Sequence, residues 1–142
     1  MMRTVLLGLL LLVIAIPANT QEDYYRCVHT LMVDYDPVKE VFSNKKESRA
    51  DMLLVFNHDN HTVNIMAGDI WVIYITREIG KEVLKDKEGN EYTRVTWSAS
   101  DSNRKRLTLA FDIFKESPQR DFTLFYSNQV MVFSCIRYYP NK

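Results

Sequence analysis

Cys27 and Cys135 carry the most reactive side chains of this 142-residue chain and lie near its two ends. A pair of thiols can serve as a disulfide, a metal site or a nucleophile, and the compartment decides among these uses. The compartment is legible at the amino terminus. Arg3 supplies a short basic start, Val5 to Ile16 an apolar run, and Pro17-Ala18 a small-residue exit, which is the layout of a secretory signal peptide over residues 1–18. The apolar run is about 12 residues, short of the roughly 20 that a membrane-spanning helix needs. Cleavage after Ala18 or as late as Thr20 leaves one exported domain over residues 19–142, a size suited to one hydrophobic core. In an oxidising compartment Cys27 and Cys135 are expected to be bonded, which closes nearly the whole domain and makes its first and last structured segments neighbours. Asn60-His61-Thr62 is a glycosylation sequon and marks Asn60 as a loop acceptor.

The remaining chemistry is sparse. Neither G-x-S-x-G, H-E-x-x-H, a P-loop nor a Gly-rich dinucleotide turn occurs, and the chain has only four glycines. His58, Asp59 and His61 sit in a polar hairpin turn, where an i, i+3 pair has no common face, so no metal site is expected there. His29 shares period-two parity with Cys27 and reads as a core or interface histidine rather than a general base. Glu91, Asp112 and Asp121 show no partner along the sequence. No enzyme and no cofactor are expected. Losing Arg3 from 18 basic residues leaves 17 against 18 acidic ones, a balance without an electrostatic footprint for nucleic acid or an anionic membrane. Arg104-Lys105-Arg106 follows Ser100-Asp101-Ser102-Asn103 and reads as the flank of a solvated turn.

Eight tyrosines, seven phenylalanines and two tryptophans favour pleated sheet. Cys27 to Tyr35 alternates as a first strand. Asp36 to Glu40 reads as a cap and first turn of a short helix, followed by a polar loop over Ser43 to Asp51. Met52–Phe56 and Val63–Met66 form a hairpin around Asn57–Asn60, and Ile70–Ile79 is apolar on both faces at its start. Lys85–Asn90 is the strongest turn signal and feeds Glu91–Ser98. Arg106–Phe114 alternates most cleanly, and Phe122–Tyr126 and Val130–Tyr138 form the last pair. Seven to nine such segments at this spacing predict an all-β domain, an antiparallel barrel with a β-sandwich as the alternative. A bond between first and last strands suits the barrel, because those strands meet there.

A small barrel has an interior filled by side chains or open to one small molecule. The candidate lining is Trp71, Trp97, Phe111 and Tyr126, each on the more apolar parity of its strand. Glu91 shares parity with Trp97 and is placed to meet a cationic ligand beside an aromatic face.

The segments Arg26-Cys27-Val28, Phe122-Thr123-Leu124-Phe125-Tyr126-Ser127 and Val132-Phe133-Ser134-Cys135 resemble strands of arthropod secreted lipocalins, the salivary amine- and lipid-binding type in particular. The resemblance covers about a quarter of the exported chain. It implies an eight-stranded up-and-down barrel of lipocalin or calycin kind that holds a small hydrophobic or amine ligand. No G-x-W motif precedes Cys27, and the sequence ends before the helix and further strand of that family, departures that fit either a shortened lipocalin or an unrelated sandwich. Two functions from different classes are open to such a chain: a secreted carrier of a small molecule, or a secreted β-sandwich that binds an extracellular protein through an apolar patch or an edge strand such as Ile70–Ile79.

Overall fold

A computed structural model describes residues 21–140, so the signal peptide expected over residues 1–18 and its cleavage point lie outside the described residues. The chain runs as β1 (Glu22–Asp36), β2 (Val41–Asn57), β3 (Thr62–Ala67), β4 (Asp69–Lys85), β5 (Glu91–Asp101), β6 (Arg106–Phe114), β7 (Gln119–Phe125) and β8 (Gln129–Tyr138). Each strand pairs antiparallel with the next, and β8 pairs with β1, so the eight strands close into one ring. Closure removes the hydrogen-bonding edges wherever neighbouring strands run side by side, and leaves β2 and β4 unpaired on one side where they outrun the short β3. No helix among the described residues is long and apolar enough to cross a membrane.

Alternation decides what faces inward. Leu107, Leu109 and Phe111 of β6 meet Phe122 and Leu124 of β7, Phe133 of β8, Tyr25 of β1 and Leu54 and Phe56 of β2 in one buried cluster. The aromatic rings interlock. Phe122 lies 4.5 Å from Phe111 and 5.1 Å from Tyr25, and Trp97 lies 5.5 Å from Phe56, measured between ring centroids. Side chains therefore occupy the middle of the barrel.

Turns follow local chemistry. Asp86 accepts the backbone N–H groups of Glu88 and Asn90, both at 2.9 Å, and Gly89 takes a positive φ of 85°, which ties off the β4–β5 hairpin. Asn57 caps the β2–β3 turn by accepting from Asp59 and Asn60 at 3.0 Å.

Three expectations are corrected. Asp36–Glu40 is a turn and not the start of a helix: Asp36 accepts from the N–H groups of Val38 and Lys39, but strand β2 resumes at Val41 and leaves no length for a helix. Ser43–Asp51 is strand and not loop, because β1 offers it a ladder from Arg49 opposite His29 to Val41 opposite Asp36, with one register shift between Met32 and Asp34. Pairing across a hairpin satisfies the backbone whatever the polarity of the side chains. His29 does not share the face of Cys27. Val28 is an extra residue in the ladder, so Cys27 opposes Cys135 while His29 opposes Ser134, the neighbouring position on β8.

Cys27 and Cys135 are directly opposed across the β1–β8 seam and almost wholly buried. Their sulfurs are unbonded in the structure, unlike the disulfide expected from the compartment. Cys27 Sγ instead donates to the carbonyl of His29 at 3.3 Å and Cys135 Sγ to that of Phe133 at 3.5 Å. Contact with the Cys27 sulfur, together with burial, holds the Cys135 thiol well above its ordinary pKa.

Candidate ligand groove at the barrel rim

The four turns at one end of the barrel join β1 to β2, β3 to β4, β5 to β6 and β7 to β8. Here Tyr126 follows the last residue of β7, its ring stacks on Trp71 of β4 at 6.3 Å, and its hydroxyl donates to Asp101 Oδ2 at 3.0 Å. Asp101 is buried and also accepts from the N–H groups of Asn103 and Lys105, so one carboxylate anchors both the β5–β6 turn and Tyr126. Burial, reinforced by that carboxylate, raises the Tyr126 hydroxyl well above its ordinary pKa and keeps it a donor.

Beside Tyr126 the β1–β2 hairpin projects past the rim, tied to the β7–β8 turn by Tyr35 N–H to the carbonyl of Asn128 at 2.9 Å. A groove of about 470 Å³ lies beneath it, lined by Tyr35, Glu40, Phe42, Phe125, Tyr126 and Val130. The Tyr35 and Phe42 rings lie 4.9 Å apart. Glu40 holds a left-handed φ of 54°, uncommon outside glycine, which fixes it at the hairpin's end. A carboxylate beside aromatic faces suits an organic cation: the carboxylate balances the charge and the rings cover the apolar part.

Of the residues that the sequence suggests as a lining, Trp71 and Tyr126 come together at this rim. Trp97 and Phe111 do not join them; they belong to the packed interior with Phe56 and Phe122. Glu91 stands at the opposite end of β5, where Lys115 Nζ lies 3.4 Å from its carboxylate. Tyr35, Glu40 and Phe42 were not visible as a site, since their juxtaposition depends on a hairpin where a helix and loop were expected.

The histidines are placed structurally. His58 Nε2 lies 2.7 Å from Asp23 Oδ2, its ring stacks on Phe56 at 4.3 Å, and Arg137 holds the other oxygen of Asp23. This cluster closes the far end of the barrel over Tyr25, whose hydroxyl burial pushes up to about 12. His61 sits in the turn with a φ of 54°, and Asn60 beside it is exposed. Among the described residues, no group of three or more His, Cys, Asp or Glu side chains is disposed to hold a metal ion.

A second constellation escaped sequence reading. Arg94 of β5, Asp112 of β6 and Asp121 of β7 are successive cross-strand neighbours. Arg94 grips Asp112 with two hydrogen bonds of 2.7 and 2.9 Å. Burial raises the pKa of Asp121, countered by hydrogen bonds from Gln119 and Ser134. The guanidinium fork neutralises one carboxylate and leaves the other to hydroxyl and amide donors. Comparison with protein-family models, with curated proteins and with solved structures returns no match.

Proposed function

We propose that this chain is an exported, lipocalin-like carrier that takes a small aromatic or apolar amine in the rim groove, rather than deep in the barrel. The observation that carries this reading is the groove itself, where Tyr35, Phe42 and Tyr126 share the lining with Glu40 in a volume within the range of ligand pockets. The up-and-down order of eight strands supports it, since barrels of that order commonly hold one small molecule. The packed aromatic interior is the reason for placing the ligand at the rim.

Tryptophan fluorescence tests the reading, because Trp71 is stacked on Tyr126. Titration with phenethylamine should give a saturable change, with weaker binding of the neutral 2-phenylethanol. Glu40→Gln should weaken the amine roughly fivefold to tenfold and leave the alcohol unchanged. Phe42→Ala should weaken both. Absence of saturable binding of either compound at millimolar concentration removes the carrier reading.

On export, Cys27 and Cys135 are proposed to pass two electrons and two protons to a disulfide oxidant of the secretory pathway. Directly opposed residues of an antiparallel ladder have Cα atoms about 4.5–5.5 Å apart, within the span a disulfide uses. Reduction of the secreted protein should then lower its unfolding free energy by about 2–5 kcal/mol in urea melts. The Cys27→Ser/Cys135→Ser double variant should show no such response to reductant. A secreted protein whose mass shows two free thiols contradicts the bond.

A further inference from the structure

The short β3 leaves two longer neighbours partly uncovered: β2 before Leu53 and β4 after Ile75. β3 covers β4 only from Asp69 to Tyr74, and the last contact on that side is Ile75 N–H to the carbonyl of His61 at 2.8 Å. From Thr76 to Lys85, β4 pairs among the described residues with β5 alone, so its other edge is open over ten residues, with Ile79 and Val83 more than half exposed. An open edge of this length is a template for another strand.

The charges on that edge run Arg77, Glu78, Ile79, Gly80, Lys81, Glu82. This order is complementary to itself when reversed. Two copies laid antiparallel about an axis between Ile79 and Gly80 set Arg77 opposite Glu82 and Glu78 opposite Lys81, each twice. Slipping the register by one residue sets Arg77 opposite Lys81, or Glu78 opposite Glu82, so the charges select one alignment.

Such an alignment also has to match faces, because a two-fold axis perpendicular to a sheet keeps every side chain on its own side. In an unbroken strand Arg77 and Glu82 would point to opposite faces. β4 is broken at the needed place: Glu78 pairs with Trp97 and Gly80 with Thr96, leaving Ile79 as an inserted residue. Arg77 then opposes Ser98 and Glu82 opposes Arg94, both on one face, while Glu78 and Lys81 oppose Trp97 and Val95 on the other. Gly80 gives a third indication. Its φ is not in the left-handed region, and a Cβ built on it meets nothing within 4 Å, so no packing in its own chain calls for glycine. In the two-fold alignment Gly80 lies opposite the partner's exposed Ile79 and leaves room for it.

We propose that the protein forms a symmetric dimer by antiparallel pairing of β4 with β4 of a second copy, centred between Ile79 and Gly80. The dimer joins two barrels into one continuous sheet and leaves the rim groove of each copy free. Its existence does not depend on what the groove binds.

Sedimentation equilibrium of the secreted protein over a range of micromolar concentrations tests the pairing. The unaltered chain should dimerise, and added salt should weaken it. Glu78→Lys and Lys81→Glu, both at exposed positions, should each place like charges opposite one another and weaken self-association about tenfold or more. An equimolar mixture of the two variants should regain the dimer, now as a heterodimer, since each supplies the charge the other lacks. Recovery in the mixture also shows that both variants are folded. A monomer at every concentration overturns the proposal. So does a dimer indifferent to both substitutions, which would place the contact elsewhere, for instance on the open edge of β2.

Discussion

Arg94→Met is expected to lower the unfolding free energy by about 3 kcal/mol at neutral pH, the lower end of the cost of removing one partner of a buried pair. The lower end applies because the Arg94 side chain is 28% exposed, although that of Asp112 is only 7% exposed. Methionine preserves much of the stem's packing but leaves the Asp112 carboxylate without its two charge-assisted bonds, one strand away from Asp121. The arginine also draws the pKa of Asp121 downward against the upward pull of burial and of Asp112. Its removal raises that value further. A carboxyl whose pKa is raised on folding contributes stability that is complete below the unfolded value and is lost as pH rises through the folded value. The deficit of Arg94→Met should therefore be largest at neutral pH and shrink on mild acidification. Urea melts of the variant at the two pH values measure this, and an equal deficit at both would show that lost packing, not charge, is responsible. Adding Asp112→Asn to Arg94→Met should restore part of the loss, which no packing account predicts.

Phe122→Ala should cost about 3–5 kcal/mol, the range for deleting a large buried aromatic from a core that cannot collapse around the gap. Phe122 has no exposed surface and packs edge-on to Tyr25 and stacked on Phe111, with Phe56 beyond. Phe122 and these neighbours sit on four different strands, held by hydrogen bonds all around the ring, so the barrel has little freedom to shrink. Phe42→Ala, 64% exposed on the β1–β2 hairpin, should by contrast change stability by less than about 0.5 kcal/mol. The pair of measurements bears on function. A loss below about 1 kcal/mol at Phe122 would reveal spare room inside the barrel and return the ligand to the interior, whereas a loss in the expected range leaves the rim groove as the place for it. In that case the apolar cavity opened by Phe122→Ala should itself accept benzene, as dry engineered cavities do.

Much of the strand pattern was legible because its cause is local. Arg106–Phe114 alternates from end to end and is β6 with the same limits, and the Asp86, Gly89 and Asn90 turn needs only its own side chains and one positive φ. The prediction that first and last strands meet is met by Cys27 lying opposite Cys135, although the bond itself is absent. Elements failed where partners lay far along the chain. Asp36–Glu40 reads as the first turn of a helix and Ser43–Asp51 as a polar loop, yet the first is a hairpin turn and from Val41 onward the chain is strand because β1 extends beside it. One inserted residue at Val28 moved His29 to the other face, and another at Ile79 put Arg77 and Glu82 on one face of β4; neither insertion has a sequence signature.

The candidate site divides along the same line. Residue types alone determined an all-β chain rich in aromatics, its turn positions and its two apolar strand faces, because alternation and turn conformations are properties of a few neighbouring residues. Only tertiary structure decided that Trp97 and Phe111 fill the core while Trp71 and Tyr126 reach the rim, that Glu91 pairs with Lys115, that Glu40 joins Tyr35 and Phe42, and that Arg94, Asp112 and Asp121 form one row. Lateral neighbours in a sheet are set by the register of each strand against the next. That register is the joint outcome of packing, bulges and ring closure, and no short stretch of the sequence contains it.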